Sequence, residues 1–471
     1  MSKGIFPDSR IVTTKYGSVI GRRLIHDGDR QVDAFQGIPF AQPPVGRLRF
    51  RRIMQTGPFP PVPWEDLKST KAFSPVAIQL EDILYLNVFT PVWKPNSPLG
   101  FAVLIFIHGG GYTIGSARKF EDIGICRNLC TKDVVVVTIQ YRIGYLGFFS
   151  TGDEECPGNL ALLDQFLALK WVKENISRFD GDPENITVMG HSTGACCADL
   201  LSISPYSRDL FNRMILMSGN AECAWALRHD MVEVSRSFAR KLGLADDLKS
   251  REIIEKLQDV PSDQFAVGML ERTNPASAVE GAVGPGYDND FLPENINELR
   301  KKAPSKQVLI GCCRMEGLLC LGSDVPNAAR IKDFISMIIK CNCSETLDPL
   351  YHDLLERSSN SNVDSSLALA KAQAEIMGDL FLNVAVLQTV ISLLESGVKA
   401  LFFYDFDFFN PDIWGPSVKL HFKEATHSTD VAYVFGLGIN YDFTFTLDDI
   451  KMLNQTTTLW TNFVKYGWEV H

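Results

Sequence analysis

The stretch that most constrains this chain is Ile186-Thr187-Val188-Met189 running straight into Gly190-His191-Ser192-Thr193-Gly194, then Ala195-Cys196-Cys197-Ala198. A β-branched run, Gly-x-Ser-x-Gly, and then small helix-compatible residues form the strand–turn–helix context of a nucleophile elbow. The serine sits on a sharp turn, and the positions two before and two after it must lack side chains that would collide. Glycine at both meets that need.

A buried elbow needs a sheet to carry it. Residues 84–89, 103–107, 134–139, 186–189, 214–217, 307–311 and 400–404 read as strands. The runs at 103–107 and 134–139 are almost continuously apolar, as strands covered on both faces are. Between Asn159 and Phe179 the apolar residues Leu163, Phe166, Leu167, Trp171 and Val172 recur at helical spacing. Strands alternating with helices predict an α/β fold with a large, mostly parallel central sheet flanked by helices on both faces. Residues 35–50 are proline-rich and read as an extended loop. Residues 230–300 read as mostly helical and charged, with a turn at Gly284-Pro285-Gly286. With no fixed-period repeat, low-complexity tract or Gly/Ser linker, residues 1–471 read as one domain, with helical insertions around 230–300 and 320–400.

Composition excludes several partners. A net charge of −10 and a pI near 5.4, with no dense basic run, argue against nucleic acid or an anionic membrane. The N-terminus shows no apolar signal region, and the longest clean apolar run, 101–107, is too short to cross a bilayer, so neither a secretory leader nor a membrane anchor is expected. Eleven cysteines, an odd number with two adjacent pairs at 196–197 and 312–313, fit reduced core residues better than a disulfide framework and point to the cytoplasm. No Cys-x-x-Cys spacing suggests a structural metal site.

A serine nucleophile needs a base, an acid to orient it and donors for the oxyanion. His108-Gly109-Gly110-Gly111-Tyr112 follows strand 103–107 directly, and such a glycine loop can aim backbone N–H groups at developing charge. Among the histidines after the serine, His352 falls in a charged segment and His471 is the last residue. His427, in Ala425-Thr426-His427-Ser428-Thr429-Asp430, is better placed than His421. Acids are too numerous for spacing to choose between them, but Glu316 directly follows strand 307–311, at a strand's carboxyl end where α/β active sites collect.

Taken together, residues 35–50, 81–88, the 108–111 loop, 158–183, the serine elbow, 202–219, 287–291, 314–317 and 427–436 resemble the type-B carboxylesterase/lipase family, which includes the cholinesterases, over nearly the whole chain. The resemblance implies an α/β-hydrolase fold with Ser192 as nucleophile, His427 as base and Glu316 as its orienting acid. It implies an oxyanion hole from Gly110, Gly111 and the N–H of Thr193. It further implies hydrolysis of small-molecule carboxylic esters through an acyl-enzyme, with no cofactor and no metal. Where the family commonly has glutamate before the serine and alanine after it, this chain has His191 and Thr193. Ala77 and Ile83, and Leu244 and Lys256, stand where the extracellular members' disulfides would be. The shortened loop near 77–83 lacks the tryptophan that stacks choline, which excludes a cholinesterase. Trp225 matches a family tryptophan near the acyl pocket. The family also holds catalytically silent, protein-binding members, which is the alternative to an esterase.

Overall fold

The computed structural model describes residues 6–26, 28–54, 81–265, 283–321, 365–415, 422–439 and 441–467. Among them, ten strands form one sheet: β1 (Asp8–Thr14), β2 (Gly17–Ile25), β3 (Val32–Pro39), β4 (Tyr85–Pro91), β5 (Phe101–Ile107), β6 (Val134–Ile139), β7 (Gly181–His191), β8 (Arg213–Met217), β9 (Gln307–Cys313) and β10 (Leu401–Phe406). Their order is β1-β2-β3-β4-β6-β5-β7-β8-β9-β10. From β6 to β10 every pairing is parallel, while β1 to β4, and β4 against β6, pair antiparallel. Of the antiparallel flank, 84–89 was legible and is β4, whereas β1 at the edge and β2 beside it were not legible as apolar runs, because most of their residues are exposed or half-buried. The expected loop at 35–50 is corrected at its start: Phe35 to Pro39 complete β3, paired with Tyr85 to Val88. A register shift between Phe35 and Ile38 accommodates that stretch.

β5 is apolar at every position, and β6 at all but Thr138, because both faces are covered. Val103, Ile105 and Ile107 of β5 face one core, shared with Trp171 and Val172 of the helix Leu160–Asn175 and with Leu200 of the helix Thr193–Ile203. Ala102, Leu104 and Phe106 face the other, closed by Tyr433, Trp460 and Phe463. Successive side chains alternate between faces, so a strand serving two cores reads as a continuous run.

Helices occupy the predicted 230–300 region at Met231–Lys241, Ser250–Gln258 and Ile296–Lys302. Lys256 lies on the second of these, and Leu244 packs against the larger core. Ala77, His352, His421 and His471 lie outside the described residues. Later in the chain, helix Ser365–Gly378 continues through a π turn, Asp379–Asn383, into helix Val384–Glu395. The span Leu367–Glu395 is long and apolar enough, by length and composition alone, to cross a membrane. Scanning for an uninterrupted apolar run did not find it, because Lys371, Glu375 and Asp379 break the pattern. Ala370, Ala374, Met377, Ala385, Val386 and Leu393 on this span are buried in the protein.

Among the described residues, two Arg–Asp pairs are buried at both ends. Arg142 grips Asp164 through Nε–Oδ2 and Nη2–Oδ1 bonds of 2.7 Å each, with side-chain exposures of 2% and 0%. Arg300 holds Asp199 at 2.8 and 3.1 Å. Removing one partner strands a buried charge, so Asp164→Ala should cost about 3–5 kcal/mol, measured as a shift of the urea unfolding midpoint. An unshifted midpoint would mean that Arg142 finds another partner.

Candidate active site

The site is assembled by register. Ile107 of β5 pairs with Gly190 of β7, His191 with Met217 of β8, and Met217 with Gly311 of β9. The carboxyl ends of four adjacent parallel strands therefore stop close together. Each is followed by a site segment: the 108–111 loop, Ser192, Ser218 and the 314–317 turn.

Ser192 takes φ 57° and ψ −127°, a backbone conformation uncommon for a residue with a Cβ. It is held there on both sides. Its N–H donates to Met217 O at 2.8 Å, and its carbonyl accepts from Ala195 N at 2.9 Å and Cys196 N at 3.1 Å as the helix begins. The turn is so tight that a Cβ on Gly190 would lie 2.1 Å from Gly194 O, and one on Gly194 would lie 2.2 Å from Ile107 O. These are backbone atoms that cannot swing away, which is the physical content of the Gly-x-Ser-x-Gly spacing.

His427 Nε2 lies 2.9 Å from Ser192 Oγ, and its Nδ1 lies 2.7 Å from Glu316 Oε2. The second carboxylate oxygen, Oε1, accepts from the Ser218 hydroxyl at 2.5 Å and from Cys313 N–H at 2.7 Å. Glu316 is fully buried, so these three donors replace the water it has lost. The loop carrying His427 is fastened to the same turn: Met315 N–H donates to Ala425 O, and Thr426 Oγ1 bonds Glu316 O at 3.3 Å while accepting from Leu319 N–H at 3.1 Å. Gly317 lets the helix Ser365–Gly378 press against that turn, since a Cβ there would lie 2.1 Å from Ala374 O.

Burial opposes charge on His427, but the charge and hydrogen bond of Glu316, with Asp430 behind it, outweigh burial and raise its pKa above 6.5. Asp430 accepts from the Tyr404 hydroxyl at 2.7 Å and from Val431 N–H at 2.9 Å. Burial, and then the charge of Glu316, push its carboxyl up to about 6. Sequence reasoning passed over Ser218 and Asp430 as site groups. Ser218 carried a usable signal, because it follows β8 as directly as Ser192 follows β7.

The glycine loop lies against the elbow. A Cβ on Gly109 would come within 2.5 Å of His191 O and 3.0 Å of Ser192 Cβ. Gly110 and Gly111 both adopt positive φ, at 129° and 60°. The bonds that close the loop use the Gly110 carbonyl, which accepts from Thr113 N–H and Ile114 N–H, rather than its N–H. Thr193 opens its helix, where the N–H has no intrahelical acceptor. Its hydroxyl is buried with no hydrogen-bond partner. His108 stacks on Tyr141 at 4.6 Å, and burial depresses its pKa to about 4. Trp225 donates its indole N–H to Phe381 O at 2.9 Å, which ties the segment after β8 to the π turn. Among the described residues, no group of three His, Cys, Asp or Glu side chains is arranged to hold a metal ion. The cysteines at 126, 130, 156, 196, 197, 223, 312 and 313 are buried and not in disulfides.

A strained serine at a strand's carboxyl end, bonded to a histidine that a buried glutamate holds, within a mostly parallel ten-stranded sheet, defines an α/β-hydrolase. The chain belongs to the carboxylesterase family, whose sequence profile matches residues 8–471. It is 36% identical to esterase cest-33 of Caenorhabditis elegans over 96% of this chain and 84% of that protein. It is 31% identical to juvenile hormone esterase of Tribolium castaneum, over 98% and 84%, and 31% identical to human carboxylesterase 3, over 97% and 83%. Family membership and esterase-named relatives together support a hydrolase acting on carboxylic esters.

Because Gly194 abuts the Ile107 carbonyl, Gly194→Ala should destabilise the protein by about 3 kcal/mol, the upper end for an overpacked site. Thermal unfolding checks this, and a Tm equal to that of the parent would show that the elbow relaxes.

Proposed function

We propose that the protein is a serine carboxylesterase with Ser192 as nucleophile, His427 as general base and acid, and Glu316 as the acid that orients it. The observation that carries this reading is the continuous chain of short contacts from Ser192 Oγ through both ring nitrogens of His427 to Glu316. His427 Nε2 takes the hydroxyl proton as Ser192 Oγ bonds the ester carbonyl carbon. The resulting oxyanion is received by the N–H groups of Gly110, Gly111 and Thr193. The bond to the alkoxy oxygen then breaks, with the proton on His427 passing to the leaving alcohol. Water, deprotonated by the same histidine, attacks the acyl carbon, the bond to Ser192 Oγ breaks as His427 returns the proton to Oγ, and the acid is released.

Small uncharged esters fit a chain that lacks the choline-stacking tryptophan better than cationic choline esters do. A single sheet threaded from Asp8 to Phe406 supports reading the chain as one domain. The cysteine pattern supports a cytoplasmic location, to be checked by counting free thiols in the non-reduced protein. No observation favours a silent, protein-binding role.

A fluorophosphonate probe should label Ser192 alone, read by peptide mass spectrometry, and Ser192→Ala should abolish both labelling and ester turnover. Retained turnover in that variant would remove the assignment. Glu316→Gln should lower kcat by about 10³–10⁴-fold, as expected when the base loses its orienting carboxylate. A near-parental rate would mean that another acid holds His427. Hydrolysis needs His427 uncharged, and its pKa lies above 6.5. Activity should therefore fall as pH drops through a midpoint above 6.5, and a kcat/KM profile flat down to pH 5 would contradict this.

A further inference from the structure

Three histidines meet at the carboxyl ends of β5 and β7, and the mechanism uses one. His108 follows Ile107, whose register partner is Gly190, so it stands beside His191. His191 is the last residue of β7 and 6% exposed. Its ring packs on the His427 ring with centroids 4.7 Å apart and planes tilted by 39°. His191 Nε2 is buried with no hydrogen-bond partner. An imidazolium carries two N–H donors, so protonating His191 would leave a buried N–H at Nε2 with no acceptor.

We propose that His191 is a positioning residue for the base: an uncharged ring laid on His427, which denies that face to water and to any carboxylate and so extends ester hydrolysis to lower pH. The inference rests on His427 being the base of the reading above. The residue preceding the nucleophile then becomes the place where the pH range of the enzyme is set.

The surrounding charges agree. Facing His191 are His427 from its loop, Lys119 from the short turn Ala117–Phe120, and His108 from the end of β5; the carboxylates Glu316 and Asp430 act on His427. Burial first, then the charges of His427 and Lys119, hold the His191 pKa well below 6.5. His108 is itself uncharged above about pH 4. His191 and His427 cannot carry charge together at this spacing, so when His427 takes the serine proton, His191 stays neutral. Stabilisation of that imidazolium is left to Glu316 with Asp430.

A carboxylate at position 191 would sit within contact distance of the base and favour its protonated, inactive form. His191→Glu should therefore move the acid limb of kcat/KM for an uncharged p-nitrophenyl ester upward by about 1–2 pH units, while His191→Gln, polar but uncharged, leaves the limb in place. A glutamate variant with an unmoved limb overturns the proposal. So does a glutamine variant that moves as far as the glutamate one, since the effect would then be packing alone. Should the glutamate variant fail to fold, imidazole NMR titration of the unaltered protein decides. His191 should remain uncharged from pH 9 down to pH 5, and a His191 midpoint above 5 overturns the proposal. That titration reads no turnover, so it stands apart from the Ser192→Ala test. Turnover surviving Ser192→Ala would remove the serine reading, whereas a charged His191 would remove only this inference.

Discussion

The close approach of backbones at the elbow is the constraint on which the rest depends. Ser192 keeps an uncommon backbone conformation because Gly190 and Gly194 touch each other and the end of β5, while β8 accepts its N–H. Backbone strain of this kind, on the order of 1–3 kcal/mol, persists only where neighbours over-determine it. Here the over-determination comes from a sheet whose central strands are buried on both faces, and from a helix that starts at the next residue. Any looseness in β5, β7 or β8 would let the serine relax away from His427.

The second requirement is electrostatic. A carboxylate with no exposed surface is tolerable only when its lone pairs are filled, and Glu316 is met by a hydroxyl, a backbone N–H and an imidazole. Those donors come from the residue after β8, from the end of β9 and from the 425–428 loop, so the charge fastens three segments at once. Asp430 adds a second carboxylate behind the first. Its raised pKa expresses the cost of two such groups in one dry region, which the Tyr404 hydroxyl from β10 partly offsets. The His191 ring packs against the His427 ring, with centroids 4.7 Å apart. The surroundings of His427 are thus asymmetric, with carboxylates on its Nδ1 side and an imidazole against its face.

Several elements were legible before any coordinates, for identifiable reasons. The strands 103–107 and 134–139 appeared as apolar runs because each serves two cores, and the elbow appeared because only glycine fits where two backbones touch. The antiparallel flank was harder to read, because edge strands with one wet face mix polar and apolar residues. The helix across 365–395 escaped a search for continuous apolarity, because its charged residues punctuate a buried stripe. Asp430 escaped because a lone aspartate has no sequence pattern that distinguishes a buried acceptor from a surface one, and Ser218 because its one signal was its place directly after a strand.

What the sequence by itself determined was the local chemistry: an elbow serine, a glycine loop after a central strand, an alternation of strands and helices, and a short set of histidines. Position at a strand's carboxyl end already favoured Glu316, but it could not exclude the other acids. Only the tertiary structure joined the set, because Ser192 and His427 are 235 residues apart, and Glu316 and His427 are 111 apart. Contacts at such separations are decided by strand register and by which buried charge finds enough donors, quantities that no local window of sequence contains.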